Sequence, residues 1–270
     1  MSQPALSRAI QGLEHQLGIE LFERTKRRVR LTDAGATLLA GAPQAFAAIE
    51  RTLDDARRVG RGEVGYLRIG FLPSATNELV PAAVRTFRAA FPAVALDLSE
   101  QLDEEQFEAL SQGRLDLGLV RTTRELDDVA FESLAEEEHC VAVPRGHRLA
   151  GRRRLSFHDL EGEDFVLWPR RLAPETHDEI VERCRAAGFS PRVVQEAPYA
   201  HTILGLVAAG LGISILVRSY RSLRGGDVIF IPLRGERSTL YAAWRTDRPS
   251  AARDNFLDVA RRIPTRRRGR

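Results

Sequence analysis

Four residues near the start of the chain have the types and spacing needed to contact nucleic-acid bases. Gln3, Pro4, Ser7 and Arg8 recur at helical spacing, so a helix would place them on one exposed face. Glutamine can bridge an adenine, arginine can bridge a guanine, and serine can approach a base or a phosphate. The alternative is that these residues only cap and solvate a surface helix. From the residues alone both interpretations stay open.

A basic run follows this segment, and its members are Arg24, Lys26, Arg27 and Arg28. Such residues can neutralise phosphates or enter a minor groove. The net charge of the whole chain is only +3, so this local concentration matters more than the overall balance. A charge run is also the usual composition of a solvated surface, which remains the competing interpretation.

A third group of residues has the chemistry of an anion site. Ser74, Ala75 and Thr76 lie between a predicted strand and a predicted helix, where loop amides and helix N-termini favour anions. The two hydroxyls can equally cap the helix that begins at Leu79. Arg121 ends another predicted strand, and it can pair with an acidic ligand or form a surface ion pair of little energy.

Catalytic chemistry is not favoured by the sequence. Ser74, His177 and Asp103 can be named as a triad, but no GxSxG turn surrounds Ser74, and no GxxxxGKS phosphate loop is present. Cys140 and Cys184 stand far apart, so we expect buried small side chains and neither a disulfide framework nor a metal cluster. We therefore predict a protein that is not an enzyme and needs no cofactor.

Composition is that of an ordinary globular protein with one or two domains. The chain has 270 residues, of which 43% are hydrophobic and 29% are charged, enough for a large buried core. No apolar stretch is long enough to cross a bilayer, and the N-terminus lacks a secretion pattern. We therefore expect a cytoplasmic protein without a membrane partner.

The first polar group is predicted to lie on a helix from Ser2 to Leu17, in which apolar residues recur at helical spacing. Ser2 before an early proline is a helix-start signal, and Gly18 ends the helix. Two short extended pieces, Ile19 to Phe22 and Val29 to Leu31, enclose the basic run. Two such pieces around a charged tip form a wing.

A long amphipathic helix is predicted from Ala34 to about Arg61, capped by Thr32 or Asp33. A long helix with an apolar stripe usually pairs with a second copy, although it can also pack on its own domain. The stripe consists of Leu38, Leu39, Ala42, Ala45, Phe46, Ile49 and Leu53.

After a glycine-rich joint, strands alternate with helices, which predicts βαβ units, a largely parallel sheet, and two lobes with a cleft between them. The predicted strands are Tyr66 to Leu72, Val94 to Glu100, Leu115 to Val120, His139 to Val143, Phe165 to Trp168, Arg192 to Glu196, Ile213 to Leu216, Val228 to Pro232 and Leu240 to Trp244. The predicted helices are Leu79 to Phe91, Glu104 to Gln112, Pro174 to Ala187, Thr202 to Ala209 and Ala252 to Ile263.

Four segments of this chain resemble the LysR family of bacterial transcription regulators. The segment SQPALSRAIQGLEHQLGIELFERTKRRVRLTDAG at residues 2–35 is similar to the second half of the family's DNA-binding domain. The segments LRIGF at 67–71, GRLDLGLV at 113–120 and GLVAAGLGISIL at 205–216 resemble the family's effector domain. Together they span nearly the whole chain.

The resemblance implies an α/β fold class: a partial winged helix-turn-helix, a long linker helix, and a two-lobed effector domain like that of periplasmic binding proteins. It places a partial DNA-binding domain at residues 1–35, a linker and dimerisation helix at 36–62, and an effector-binding domain at 63–270. Lobe I would comprise about 66–137 and 242–265, and lobe II about 138–241.

The resemblance also adds residues to the cleft. In similar regulators the effector site includes the loop after the second strand of the effector domain, a segment after a later strand, and a helix start. The corresponding residues here are Gln101, Asp103, Arg170, Thr176, His201 and Thr202. An acidic metabolite is the usual ligand of many such proteins.

The family's reader begins with about two further helices, whereas here Met1 stands directly before the recognition helix. We expect a start codon assigned too far downstream rather than a truncated product. The function expected is DNA-binding transcription regulation, controlled by a small acidic effector and exerted by a homo-oligomer. The alternatives are a truncated regulator that binds effector and self-associates without DNA, and a solute-binding protein.

Overall fold

The computed structural model describes residues 3–25, 28–77, 79–223 and 226–264, and two compact units divide the chain at Gly60. The first unit contains helix α1 (Gln3–Leu17), an antiparallel hairpin of β1 (Phe22–Thr25) and β2 (Arg28–Leu31), and helix α2 (Asp33–Gly60). The predicted helices and wing are therefore present. The first wing strand was predicted too early, because the chain turns at Gly18 and buries Leu21 before it becomes extended.

The start of α2 is fixed by a close approach to the segment before the hairpin. The Thr32 hydroxyl accepts the amide of Gly35 at 2.9 Å, so Thr32 is the N-cap, and the same hydroxyl donates to the Glu20 carbonyl at 2.8 Å. Gly35 is the buried residue of this helix, and a Cβ at that position would overlap the carbonyl oxygen of Leu21. Glycine at position 35 is therefore a packing requirement.

The second unit is built around one six-stranded sheet in the order β4-β3-β5-β10-β6-β9 and a separate parallel pair, β7 with β8. Its strands are β3 (Val64–Phe71), β4 (Ala93–Glu100), β5 (Leu117–Val120), β6 (Val129–Pro144), β7 (Asp164–Leu167), β8 (Arg192–Glu196), β9 (Ser214–Val217) and β10 (Val228–Arg245). Its helices are α3 (Leu79–Ala90), α4 (Asp103–Ser111), α5 (Pro174–Ala186), α6 (Ala200–Ala208) and α7 (Ala251–Arg261). The α/β prediction is confirmed.

The largest difference from the sequence prediction concerns β6 and β10. The sequence predicted three short strands here, His139 to Val143, Val228 to Pro232 and Leu240 to Trp244, whereas the structure has two strands of 16 and 18 residues that pair with each other. Their middle portions are rich in charged residues and lack a hydrophobic alternation, so the pattern resembled a loop.

The expectation of a largely parallel sheet was wrong because the antiparallel pairing of β6 with β10 was not predicted. Strand β3 is parallel to β4 and β5, but β10 is antiparallel to β5 and β6, and β6 is antiparallel to β9. The long β6–β10 ladder occupies the middle of the sheet and makes the sheet mixed.

The apolar cores lie on both sides of this ladder. In one, Ala135 of β6 and Leu240 of β10 pack with Leu67 and Phe256. In another, Val143 of β6 and Ile231 of β10 pack with Phe165 and Ile215. The same two strands therefore supply side chains to both cores, which fixes the two lobes to a common frame. Among the described residues no helix is long and apolar enough to span a membrane.

We predict that Gly35→Ala destabilises the chain. Placing a methyl group against the Leu21 carbonyl should lower the free energy of unfolding by about 1–3 kcal/mol. The matched control is Gly41→Ala in the same helix, where no atom lies within 4 Å of the new Cβ and a gain of about 0.5–1 kcal/mol is expected. Urea unfolding followed by circular dichroism compares the two, and equal stabilities would contradict the close approach.

Candidate functional site

The polar face of α1 is accessible to a ligand. Pro4 and Arg8 are exposed, Ser7 is half-buried, and Gln3 is the first residue of the helix. None of the described side chains of this group is buried in the protein interior. Large apolar side chains elsewhere on the helix are also exposed to solvent. The exposed fractions of Leu6, Leu13 and Leu17 lie between 40% and 48%.

Arg24 of the hairpin lies against α1. Its Nη1 donates to the Ser7 hydroxyl at 3.2 Å, and its Nη2 lies 3.5 Å from a carboxylate oxygen of Glu14. The other carboxylate oxygen of Glu14 accepts the backbone amides of Leu21 and Phe22 at 2.8 and 3.0 Å. Glu14 thus connects the helix to the hairpin, a role that the sequence analysis did not assign. The one feature of the sequence that points to Glu14 is its position seven residues after Ser7, which places both residues on the same side of the helix.

The rest of the basic run is described in part. Arg28 begins β2 and is exposed, whereas Lys26 and Arg27 lie outside the described residues. The hairpin therefore presents at least one further predicted cation to solvent.

The residues predicted to cradle an anion lie in a short 3-10 helix at Pro73–Asn77, directly after β3. Ser74 and Ala75 are 4% and 3% exposed, and the Thr76 hydroxyl donates to the Pro73 carbonyl at 2.6 Å. The Thr76 side chain therefore bonds within its own helical turn. Because Ser74 is almost fully buried, the side chains packed around it determine which hydrogen bonds its hydroxyl can form.

Arg121 is the centre of a polar network at this position. Its guanidinium donates to the hydroxyl of Ser74 at 3.1 Å, to the hydroxyl of Ser238 at 3.0 Å and to the carboxylate of Glu137 at 2.9 Å. Its side chain is 13% exposed. These partners belong to the 3-10 helix after β3, to β10 and to β6, so the single guanidinium connects that helix to two strands of the sheet.

The second lobe contributes a short 3-10 helix, Arg218–Leu223, to the same network. The Ser219 hydroxyl donates to the Glu137 carboxylate at 3.2 Å, and the adjacent Tyr220 is buried with its hydroxyl near Ser74. Burial raises the pKa of Tyr220 to about 12, against smaller opposing effects of Arg121 and Ser74. Glu137, Ser219 and Tyr220 were not predicted from the sequence.

Asp103 bonds to the backbone of Arg121, and Gln101 lies two residues before Asp103 in the chain. The Asp103 carboxylate accepts the Thr122 hydroxyl at 2.7 Å and the backbone amides of Thr122 and Arg121 at 2.9 and 3.2 Å. Burial raises the pKa of Asp103, and the hydrogen bonds from Thr122 oppose this rise. The side-chain oxygen of Gln101 is buried and has no hydrogen-bond partner among the described residues. That oxygen can accept a bond from a ligand.

The remaining predicted cleft residues lie after β7 and on helices α5 and α6. Arg170 is largely exposed and forms a bidentate pair with Asp178 at 2.7 and 2.6 Å, which lowers the pKa of Asp178 to about 2. Thr176 and Thr202 are half-buried in the first turns of α5 and α6. His201 is exposed, and its ring stacks on Tyr199 with centroids 5.5 Å apart. The structure thus joins Ser74 and Asp103 to Arg121 by hydrogen bonds. The predicted residues that lie outside the Arg121 network are Arg170, Thr176, His201 and Thr202.

The geometry does not assemble the triad that can be named from the sequence. The Ser74 hydroxyl accepts from Arg121, whereas His177 contacts Asp178 at 3.4 Å. Cys140 and Cys184 are buried free thiols, as predicted, and burial raises their pKa values to about 12 and 11. Within the described parts of the chain, no three histidine, cysteine or acidic side chains are grouped to hold a metal.

His139 on β6 is a half-buried titratable group next to the network. Burial lowers its pKa to about 4, and repulsion from Arg121 and Arg183 contributes. The neutral imidazole is therefore the form that the folded protein favours.

Comparisons with known proteins match both units. Residues 1–36 match the family model described as "Bacterial regulatory helix-turn-helix protein, lysR family", and residues 60–263 match the model of the LysR substrate binding domain. The regulator AlsR of Bacillus subtilis is 32% identical over 98% of this chain and 89% of its own length.

Two solved structures are similar to this one. Full-length CbnR complexed with its target DNA has a TM-score of 0.72 at 26% identity and covers 97% of this chain and 90% of that chain. The effector binding domain of BenM with its effector benzoate has a TM-score of 0.68 at 27% identity and covers 74% of this chain and 91% of that chain.

We predict that acid destabilises this protein partly through His139. As the pH falls below 6.5, His139 becomes protonated in the unfolded chain, whereas in the folded chain it stays neutral down to about pH 4. The free energy of unfolding therefore decreases between pH 6.5 and about pH 4. A shift of this size corresponds to about 3 kcal/mol. In unfolding titrations at several pH values, His139→Gln should flatten the dependence, whereas the exposed His15→Gln should keep it. An unchanged slope for His139→Gln would contradict the assignment.

Proposed function

The chain belongs to the LysR family of transcription regulators, and we propose that its first unit reads a DNA operator while a small effector bound in its second unit controls the output. The regulators and structures that match it are not enzymes. The observation that carries the DNA part is the exposed polar face of α1, with Pro4 and Arg8 in solvent within the segment that matches the family's helix-turn-helix model.

The geometry of α1 supports base reading. In helix-turn-helix proteins the N-terminal residues of the recognition helix contact base edges. Gln3, Pro4, Ser7 and Arg8 occupy the first two turns of this helix, and Arg8 is long enough to bridge a guanine. Arg28 on the hairpin supplies a cation for the backbone, and Lys26 and Arg27 belong to the same proposed surface. A DNA reader acts where the chromosome is, so we place the protein in the cytoplasm.

Self-association is proposed through α2. Leu39, Phe46 and Leu53 stand seven residues apart along this helix, and their exposed fractions are 60%, 67% and 50%. Ile49, on the same stripe, is 54% exposed. Apolar residues repeated every seven positions are the seam along which two helices pair. The partner that fits this stripe is a second copy of the chain, which would supply a second reader.

The effector proposed is a small carboxylic acid that also carries a hydrogen-bond donor. BenM's effector domain was solved with the acid benzoate, and here Arg121 is the cation at the centre of the polar network. A carboxylate entering beside Ser74 and Thr76 would compete with Glu137 for the guanidinium. The side-chain oxygen of Gln101, which is buried and has no partner within the described ranges of the chain, would accept a hydroxyl of the same ligand.

We predict that Arg8→Ala relaxes the operator preference. Loss of a bidentate arginine–guanine contact should cost about 1–3 kcal/mol at one base pair and leave the other positions unchanged. Duplexes selected by the wild-type chain from a randomised library serve as probes in competition gel shifts. The control Arg51→Ala, an exposed arginine of α2, should keep the wild-type preference. A wild-type chain that selects no duplex would contradict the DNA-reading function itself.

We predict that hydroxylated aromatic acids stabilise the chain more than their neutral amides do. A ligand at a hundred times its dissociation constant adds about 2.7 kcal/mol, which is visible as a rise in melting temperature. Thermal unfolding with hydroxybenzoate, benzoate and benzamide tests the charge and the donor separately. Gln101→Leu should remove the advantage of hydroxybenzoate over benzoate, whereas Gln195→Leu on exposed β8 should keep it. Equal shifts for acid and amide would exclude an acidic effector.

A further inference from the structure

We infer that Arg24 is a positioning residue for DNA reading, which presents the Ser7 hydroxyl to the duplex as a hydrogen-bond donor, and that it is not a phosphate contact. This inference rests on the proposed DNA-reading function. It differs from the expectation drawn from the sequence, in which Arg24 was one member of a basic run.

The guanidinium of Arg24 already has a carboxylate and a hydroxyl as partners. Ser7 and Glu14 are seven residues apart, so they share a side of α1, and Arg24 spans from one to the other. Its side chain is 35% exposed and that of Glu14 is 15% exposed. A phosphate that binds this guanidinium must compete with the Glu14 carboxylate for its charge, which makes Arg24 a weaker choice for neutralising the DNA backbone than a cation without a carboxylate beside it.

Glu14 is itself held in place. One carboxylate oxygen accepts two consecutive backbone amides, those of Leu21 and Phe22, and only the other oxygen faces Arg24. Hydrogen bonds between charged and neutral groups are stronger than those between neutral groups. The backbone at the start of the hairpin therefore sets the position of Glu14, Glu14 sets the position of Arg24, and Arg24 sets that of the Ser7 hydroxyl.

This arrangement restricts what Ser7 can read. A serine hydroxyl has one hydrogen to donate and two lone pairs that accept. An N–H of Arg24 occupies one lone pair, and the positive charge behind it repels a second donor. Ser7 is left to donate to an acceptor on the DNA, such as purine N7, guanine O6 or thymine O4, and the amino group of cytosine is disfavoured.

Two measurements on the full chain separate positioning from phosphate contact. The first is the base preference in selection from a randomised duplex library, and the second is the dependence of binding on salt. Each phosphate contact contributes about 0.9 to the slope of log K against log salt. We expect Arg24→Gln to keep the wild-type slope while losing about two- to tenfold of the discrimination against cytosine at one position. Arg28→Gln, a predicted phosphate contact, is the matched control for a reduced slope.

Ser7→Ala keeps the test decisive if Arg24→Gln impairs folding, because the alanine change leaves the hairpin intact. It should lose the same discrimination at the same base pair, and the double variant should lose no more than either single one. A slope reduced by about 0.9 in Arg24→Gln would overturn the inference, as would unchanged base preferences in both single variants. A wild-type chain that binds no duplex would instead refute the proposed function, so the two failures are distinguishable.

Discussion

The pairing of β6 with β10 is the constraint on which the second unit depends. The two strands hydrogen-bond from Val129 and Arg245 at one end to Pro144 and Val228 at the other, with register shifts near Leu233 to Glu236 and at Leu240. Both lobes build their cores on this ladder, so neither lobe can rotate without twisting or breaking its hydrogen bonds. The register shifts are the positions at which this pairing is interrupted.

Arg121 lies close to one of these register shifts, because its partners Glu137 and Ser238 pair with each other just after it. Its guanidinium joins Glu137 of β6, Ser238 of β10 and Ser74 after β3, and Ser219 adds the second lobe through Glu137. Removing one member of a buried ion pair costs more than the pair contributes, because the other charge stays buried without its partner. A ligand that displaced one member would leave the others without their partners, and differential contacts of this kind are what coupling between sites requires.

The sequence predicts those parts of the molecule that local patterns control. Helical spacing located α1, strand β8 was predicted residue for residue, and Ser74 and Arg121 were chosen because they follow strands. The charged middle of β6 has no alternation of apolar and polar residues, so its pairing with β10 could not be predicted from the sequence. The partners of the predicted site residues were equally inaccessible, since Glu137 is separated from Arg121 by sixteen residues and Arg24 from Ser7 by seventeen.

In the first unit, one short segment fixes the relative positions of the two helices and the hairpin. Thr32 bonds to the Glu20 carbonyl, Gly35 packs against Leu21, and Glu14 bonds to the amides of Leu21 and Phe22, so the segment Glu20 to Phe22 holds α1, the hairpin and α2 together. The apolar stripe that would pair two copies lies on that same α2. Because α1 cannot turn independently of the start of α2, a change in how two α2 helices pair would move the two readers. The spacing of the DNA sites that the pair can occupy would then change with it.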